Sequence, residues 1–116
     1  MIRTSLIKIL ICLFFNLSLF AQSDNEDKIK IIETYLNKAT EAFGELHFDK
    51  SVEFSKKALI ISFEIDDPLY IAQAYNSIGV VYDECSQTDK AIDFYEKALH
   101  YAKKVNNHNN PLKKIT

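Results

Sequence analysis

At 116 residues, with 47% hydrophobic and 26% charged residues and only two glycines and two prolines, the chain has the make-up of one small folded domain, not of a disordered or low-complexity segment. The formal net charge of -2 becomes -4 once Arg3 and Lys8, both in the extreme N-terminal segment, are set aside, because Lys plus Arg then falls from 14 to 12 against 16 acids. That balance excludes a binder of the nucleic-acid phosphate backbone, which needs clustered cations; here the lysines alternate with acids, the pattern of solvated helix faces.

Arg3 and Lys8 precede or open an apolar run from Ile9 to Phe20, which is followed by Ala21, Gln22 and the polar stretch Ser23 to Asp27. A basic start, a short apolar centre and a small residue at the boundary predict a secretory signal peptide over residues 1–21, cleaved after Ala21. The run is shorter than the roughly 18 to 20 residues needed to cross a hydrocarbon core, and Asn16 interrupts it. A membrane anchor, the fate of this segment if uncleaved, is therefore the weaker reading. Cys12 lies inside the run without the small residues that precede a lipidated cysteine. The expected destination is the periplasm or the outside of a bacterial cell. Removal of Cys12 leaves Cys85 single, unable to form an internal disulfide, and it is read as a small buried hydrophobe near a helix end.

Four amphipathic helices follow, within residues 22–110. Ser23 and Asp24 are placed to cap the first, whose stripe is Ile29, Ile32, Leu36, Ala39, Phe43 and Leu46, widened by Ile31, Tyr35 and Ala42. Gly44 near its end and the polar Glu45 and His47 suggest the first turn. Asp49 opens the second helix, with Val52, Phe54, Ala58, Leu59, Ile61, Phe63 and Ile65 apolar. Asp66, Asp67 and Pro68 form a compact stop and restart, since aspartate caps and proline suits the first helical position. The third helix carries Ile71, Ala74, Tyr75, Ile78, Val81 and Tyr82 and ends near Cys85. After a turn with Thr88 as cap, the fourth presents Ala91, Ile92, Tyr95, Ala98, Leu99, Ala102 and Val105.

An internal repeat is visible: Asp49 to Leu59 (DKSVEFSKKAL) matches Asp89 to Leu99 (DKAIDFYEKAL) at an offset of 40, and Tyr35 matches Tyr75 at the same offset. A fixed period in this range signals stacked supersecondary units. The second unit resembles a tetratricopeptide repeat. Tyr75, Ile78, Gly79 and Tyr82 match the large, large, small, aromatic pattern of that family's first helix, and Ala91, Tyr95 and Ala98 the small, aromatic, small pattern of its second. The period is similar to the longer-repeat subgroup found in kinesin light chains and in bacterial signalling proteins, including sensor histidine kinases that begin with a signal peptide. The first unit departs from the pattern, with Lys38, Ala42, Ser51 and Ser55 at places where the family has apolar or aromatic residues. Asn109 to Ile115 (NNPLKKI) echoes Asp66 to Ile71 (DDPLYI), so residues 111–116 are read as the start of a third unit or a tail.

The resemblance implies an all-α fold: antiparallel helix hairpins, about 26–65 and 68–105, stacked as a short right-handed solenoid of about four helices. It also implies a binding scaffold with no catalytic activity, whose partner is a protein or peptide. In such repeats the first helix of each unit lines the concave surface. That points to Gln73, Asn76, Val80 and Asp83 on the third helix and to Glu33, Leu36, Thr40 and Phe43 on the first as groove residues. Asn76 leads them, because an amide both donates to and accepts from a peptide backbone. Two readings stay open: a self-sufficient exported module, and the sensor-side piece of a longer signalling protein.

Other chemistry finds no support in the residues. His47, His100 and His108 have no metal-ligand spacing, so neither metal nor cofactor is expected. No glycine-rich phosphate loop exists, and no serine sits in a nucleophile turn with a partnered base. The pairs Asp66 with Asp67 and Asp83 with Glu84 read as caps and solvated helix ends. Tyr75, Tyr82, Phe94 and Tyr95 are assigned to the core, because the basic groove required of a nucleic-acid stacking platform is missing. The last helix leaves an uncapped apolar face, open to a partner or to self-association.

Overall fold

The computed structural model describes the backbone of residues 2–109 and the side chains of residues 6–13 and 23–107. Within them the chain forms four helices, α1 (Ile2–Gly44), α2 (Phe48–Glu64), α3 (Pro68–Glu84) and α4 (Thr88–Asn109), and no strand. Each helix packs against the next, and α3 also touches α1, so two antiparallel hairpins are stacked side by side. This is the all-α helical repeat that the 40-residue offset predicts.

Three turns join the helices, and all three are built alike. Leu46, Asp66 and Ser86, 20 residues apart, adopt the left-handed conformation with φ of 65°, 51° and 59°. The following amides, of His47, Asp67 and Gln87, bond back to the carbonyls of Ala42, Ser62 and Tyr82, while the left-handed residues bond to Phe43, Phe63 and Asp83. This pair of bonds is the Schellman closure, which satisfies the last carbonyls of a helix. The turn therefore recurs every 20 residues, and two helix-plus-turn steps give the 40-residue period. The first turn falls where Gly44 near the end of the first stripe places it: Gly44 is the last residue of α1, and the left-handed position is Leu46.

Glycine occupies the left-handed region without the steric penalty of a β-carbon. Leu46 is 72% exposed, so its side chain contributes little burial in return. Leu46→Gly and Ser86→Gly should each raise stability by about 1 kcal/mol, read as a higher urea midpoint at unchanged slope.

Helix starts divide into two that match expectation, those of α3 and α2, and two that do not. Asp67 caps α3, its carboxylate accepting from the amides of Leu69 at 3.0 Å and Tyr70 at 3.5 Å, with Pro68 in the first turn. Asp49 does not cap α2: it lies in the first turn, where its charge meets the positive end of the helix dipole, and His47 is the capping residue without a side-chain bond. Thr88 is the first residue of α4, one place inside, and the Gln87 carbonyl takes the first helical bond, from Ala91. Nor does a helix begin at Ser23 or Asp24. The helix α1 runs unbroken through both, with Lys28 paired to Asp24 at 3.2 Å.

The part of α1 that packs is its C-terminal part. Residues 6–13 and 23–27 are exposed, and burial begins with Lys28 and Ile29. At 1.5 Å per residue, the 43 residues of α1 span about 65 Å, which sets the 73 Å long dimension of the molecule. Among the described residues no helix is long and apolar enough to cross a membrane. The side chain of Ala21, at the expected cleavage point, and the expected third-unit start at 111–116 lie outside the described residues.

Burial follows the predicted stripes on α3, where Ile71, Ala74, Ile78 and Val81 are enclosed together with Ala72 and Gly79. On α2 it does not. The enclosed residues there are Ser51, Ser55, Ala58 and Ser62, while Val52, Phe54, Leu59, Ile61 and Ile65 are half-buried and Phe63 is exposed. The reason is close packing: a line of small side chains lets α2 approach α1 on one side and α3 on the other. Each serine is satisfied, Ser51 donating to the Ala39 carbonyl at 2.8 Å, Ser62 to the Ala58 carbonyl at 2.7 Å, and Ser55 sharing a 2.7 Å bond with Ser77. Ser51 and Ser55 thus stand where Ala91 and Tyr95 stand in the second unit, and the register of the first unit follows the offset of 40.

Inside the second hairpin the corresponding close approach is Gly79 against Tyr95. A β-carbon at Gly79 would lie 2.8 Å from both Cδ1 and Cε1 of the Tyr95 ring. Ala91 and Ala98 are enclosed, as the repeat pattern predicts, but Tyr75, Tyr82 and Tyr95 are half-buried, not enclosed. Cys85 also departs from expectation: it caps the end of α3 and is exposed.

Candidate functional site

The α1 and α3 helices lie side by side with the same direction, so residues 40 apart face the same groove. Leu36, Ala39, Thr40 and Phe43 of α1, Ser51 of α2, and Gln73, Asn76, Ser77 and Val80 of α3 line a cavity of about 330 Å³. Six of the eight groove residues expected from sequence are here: Leu36, Thr40, Phe43, Gln73, Asn76 and Val80. Sequence reading missed Ala39, Ser51 and Ser77, which form the floor. Their signal was available in the serine and alanine positions of the repeat, since small residues under a helix crossing leave space above them.

Floor hydroxyls are already committed within the fold. Ser51 is bonded to Ala39, Ser77 to Ser55, and Thr40 donates to the Leu36 carbonyl at 3.0 Å. The polar groups left to a ligand are the amides of Gln73 and Asn76, both exposed and without a hydrogen-bond partner among the described residues. Leu36, Phe43 and Val80 supply apolar surface around them. No lysine or arginine lines the cavity. Its interior is therefore uncharged, with two amides set among apolar walls.

Glu33 and Asp83 do not line the cavity; they flank it, about one helical turn beyond Leu36 and Val80. Each carboxylate accepts from a tyrosine hydroxyl, Glu33 from Tyr70 at 2.7 Å and Asp83 from Tyr95 at 3.4 Å. The bond to Glu33 holds the Tyr70 phenol neutral and, with burial and the nearby negative charges of Glu33 and Asp67, pushes its pKa from 10.0 up to about 12. Burial and Asp83 raise that of Tyr95 as well. A phenol raised in the folded state stabilises the fold fully below its unfolded pKa and loses that contribution as pH rises through the folded value. For Tyr70 the window runs from about pH 10 to about pH 12. An ultraviolet titration of tyrosinate should show two late phenols, Tyr70 and Tyr95, and Glu33→Gln should return Tyr70 alone toward its ordinary value.

Away from the groove, a second repeated constellation emerges. Tyr35 stacks near Phe54 at 6.3 Å, with Lys57 over both rings and paired to Glu53. Forty residues on, Tyr75 lies 6.2 Å from Phe94, with Lys97 over both rings and paired to Asp93. The second set extends to Tyr82, stacked on Phe94 at 5.4 Å, and to Phe63 and Tyr101. These half-exposed rings, shielded by lysine stems, join neighbouring helices on the outside of the hairpins. Lysines thus sit over these rings, Lys38 over Phe54 among them, whereas no charged residue lines the cavity.

Over 106 aligned residues the chain is 31% identical to the protein described as uncharacterized protein ycf37 of Guillardia theta. The alignment covers 82% of this chain and 59% of that relative, so the chain spans about three-fifths of the relative's length. No family model matches the chain, and no solved structure matches it.

Proposed function

We propose that this chain is a tetratricopeptide-type binding scaffold, exported from the cytoplasm to the periplasm or beyond, that holds a short extended peptide segment of a partner protein in the groove between α1 and α3. The observation that carries the reading is the cavity itself, in which the unpartnered amides of Gln73 and Asn76 face Leu36, Phe43 and Val80. Amides fix a peptide backbone and the apolar walls take one side chain, the division of labour found in peptide-recognition grooves. Glu33 and Asp83 flank the two ends. The rise from Glu33 to Phe43 along α1 is about 15 Å, which about four to five residues of extended chain cover. The preferred ligand therefore has an uncharged centre with a basic residue on each side.

A labelled peptide with a lysine at each end and a leucine among the uncharged residues between them tests this directly by fluorescence anisotropy. Asn76→Ala should weaken binding about tenfold, the upper end of the effect of one lost hydrogen bond, and Val80→Glu should abolish it. Binding that neither substitution changes would show that the groove is not the site. The export half of the proposal rests on the Arg3-to-Ala21 segment alone. N-terminal sequencing of protein recovered from a Gram-negative host should begin at Gln22, and an intact Met1 in the cytosolic fraction would count against it.

A further inference from the structure

A separate cavity, of about 390 Å³, lies between the turn that joins α2 to α3 and the last turns of α4. Asp66, Pro68, Tyr101, Lys104 and Asn107 line it, and none of them belongs to the concave groove. Two charges of opposite sign share this space without meeting. The Lys104 ammonium stands over the Tyr101 ring, 4.8 Å from its centroid, and neither it nor the Asp66 carboxylate has an ion-pair partner among the described residues. The Tyr101 hydroxyl makes no hydrogen bond to them either.

The fold does not call for these groups. Asp66 is held in the left-handed position by the bond from its amide to the Phe63 carbonyl at 3.1 Å, but the same position in the other two turns is taken by the uncharged Leu46 and Ser86. Stepped back by 40 residues, Asp66, Tyr101 and Lys104 become Glu26, Ile61 and Glu64, so the first unit packs with neither the ring nor the cation. What the fold supplies is a fixed wall: the Tyr101 ring packs against Phe63 at 5.7 Å and Tyr75 at 6.0 Å.

We propose that this cavity binds a small zwitterion, either a free amino acid or a short peptide held by its two charged ends. The ligand's ammonium donates to the Asp66 carboxylate, and its carboxylate accepts from the Lys104 ammonium and the Tyr101 hydroxyl. Its apolar part rests on the Pro68 ring. A ligand with only one of the two charges leaves the opposite protein group covered and unpaired, so the site discriminates against it. The volume lies at the low end of the range for small-molecule sites, about 300 to 1,000 Å³. The inference stands apart from peptide binding by the concave groove.

Isothermal calorimetry on the full chain compares leucine and leucyl-leucine, each with its N-acetyl analogue, which lacks the ammonium, and its C-terminal amide, which lacks the carboxylate. At least one zwitterion should bind one to one at millimolar concentration, and the tighter of the two identifies the source as free amino acid or peptide. Its two single-charge analogues should each bind at least about tenfold more weakly. Asparagine tolerates the left-handed position and Lys104 is exposed, so Asp66→Asn and Lys104→Gln keep the fold, which circular dichroism checks. Asp66→Asn should erase the preference over the N-acetyl analogue, and Lys104→Gln the preference over the amide. Failure of both zwitterions to bind, equal binding of the analogues, or a preference that neither substitution changes would overturn the proposal.

Discussion

Gly79→Ala is expected to destabilise the fold by about 1 to 3 kcal/mol, the range for overpacking a well-filled site, even though alanine is the better helix former by about 1 kcal/mol. The added methyl group would stand 2.8 Å from two carbons of the Tyr95 ring and 3.4 Å from Cγ, where the ring joins Cβ. A flip of the ring about its own axis cannot clear it, so Tyr95 must leave its rotamer or α3 and α4 must separate. The first unit supplies the control. Forty residues earlier the same pair of positions holds Ala39 and Ser55, a larger residue against a smaller one, and both are fully enclosed. In a Tyr95→Ser background the cost of Gly79→Ala should accordingly vanish or reverse. Denaturant melts of the four proteins give the coupling directly. If Gly79→Ala proves as stable as the parent with Tyr95 in place, the two helices do not cross at this point.

Ser55→Tyr, which writes the second unit's residue into the first, should cost more, on the order of 2 to 4 kcal/mol. Ser55 is fully enclosed between α2 and α3 and shares its hydroxyl with Ser77 at 2.7 Å. The tyrosine ring has no room beneath α3, and Ser77 loses its partner; overpacking and an unpaired hydroxyl each contribute about 1 to 3 kcal/mol. For a domain of this size that is a fall of roughly 10 to 20 °C in Tm. Tyr95, at the equivalent place in the second unit, is tolerated because it is half-buried and faces an open trough along α3 and α4. A Ser55→Tyr protein melting within a few degrees of the parent would mean that α3 does not seat on α2 here.

Most of the fold is legible in the residues where a local signal has a single structural meaning. Asp67 followed by Pro68 marks a helix start because a carboxylate caps and proline needs no amide partner, and α3 begins there. The match of Asp49–Leu59 to Asp89–Leu99 fixes the period, and the three like turns reproduce it. What was not legible is the buried line of α2. Periodicity weighs hydrophobicity, whereas the crossing of three helices selects for size, so Ser51, Ser55 and Ser62 are enclosed while Phe63 is left outside. Leu46 and Ser86 hide the left-handed positions, though not the turns, for a related reason: such a position is usually signalled by glycine, and here the Schellman bonds hold non-glycine residues in it. Within the groove, the spacing of Leu36, Thr40, Asn76 and Val80 was enough to find the walls. Glu33 and Asp83 lie at the right angle on their helices but beyond the ends, where each is tied to a tyrosine, and no one-helix pattern distinguishes the end of a groove from its middle.

The most direct test of the account is a two-dimensional amide NMR titration of the full chain with the lysine-flanked peptide. The account predicts saturable shifts clustered at Leu36, Thr40, Phe43, Gln73, Asn76 and Val80, with the amides around Phe54 and Phe94 unmoved. Shifts that gather on those outer aromatic positions, or none at peptide concentrations far above that of the protein, would contradict it.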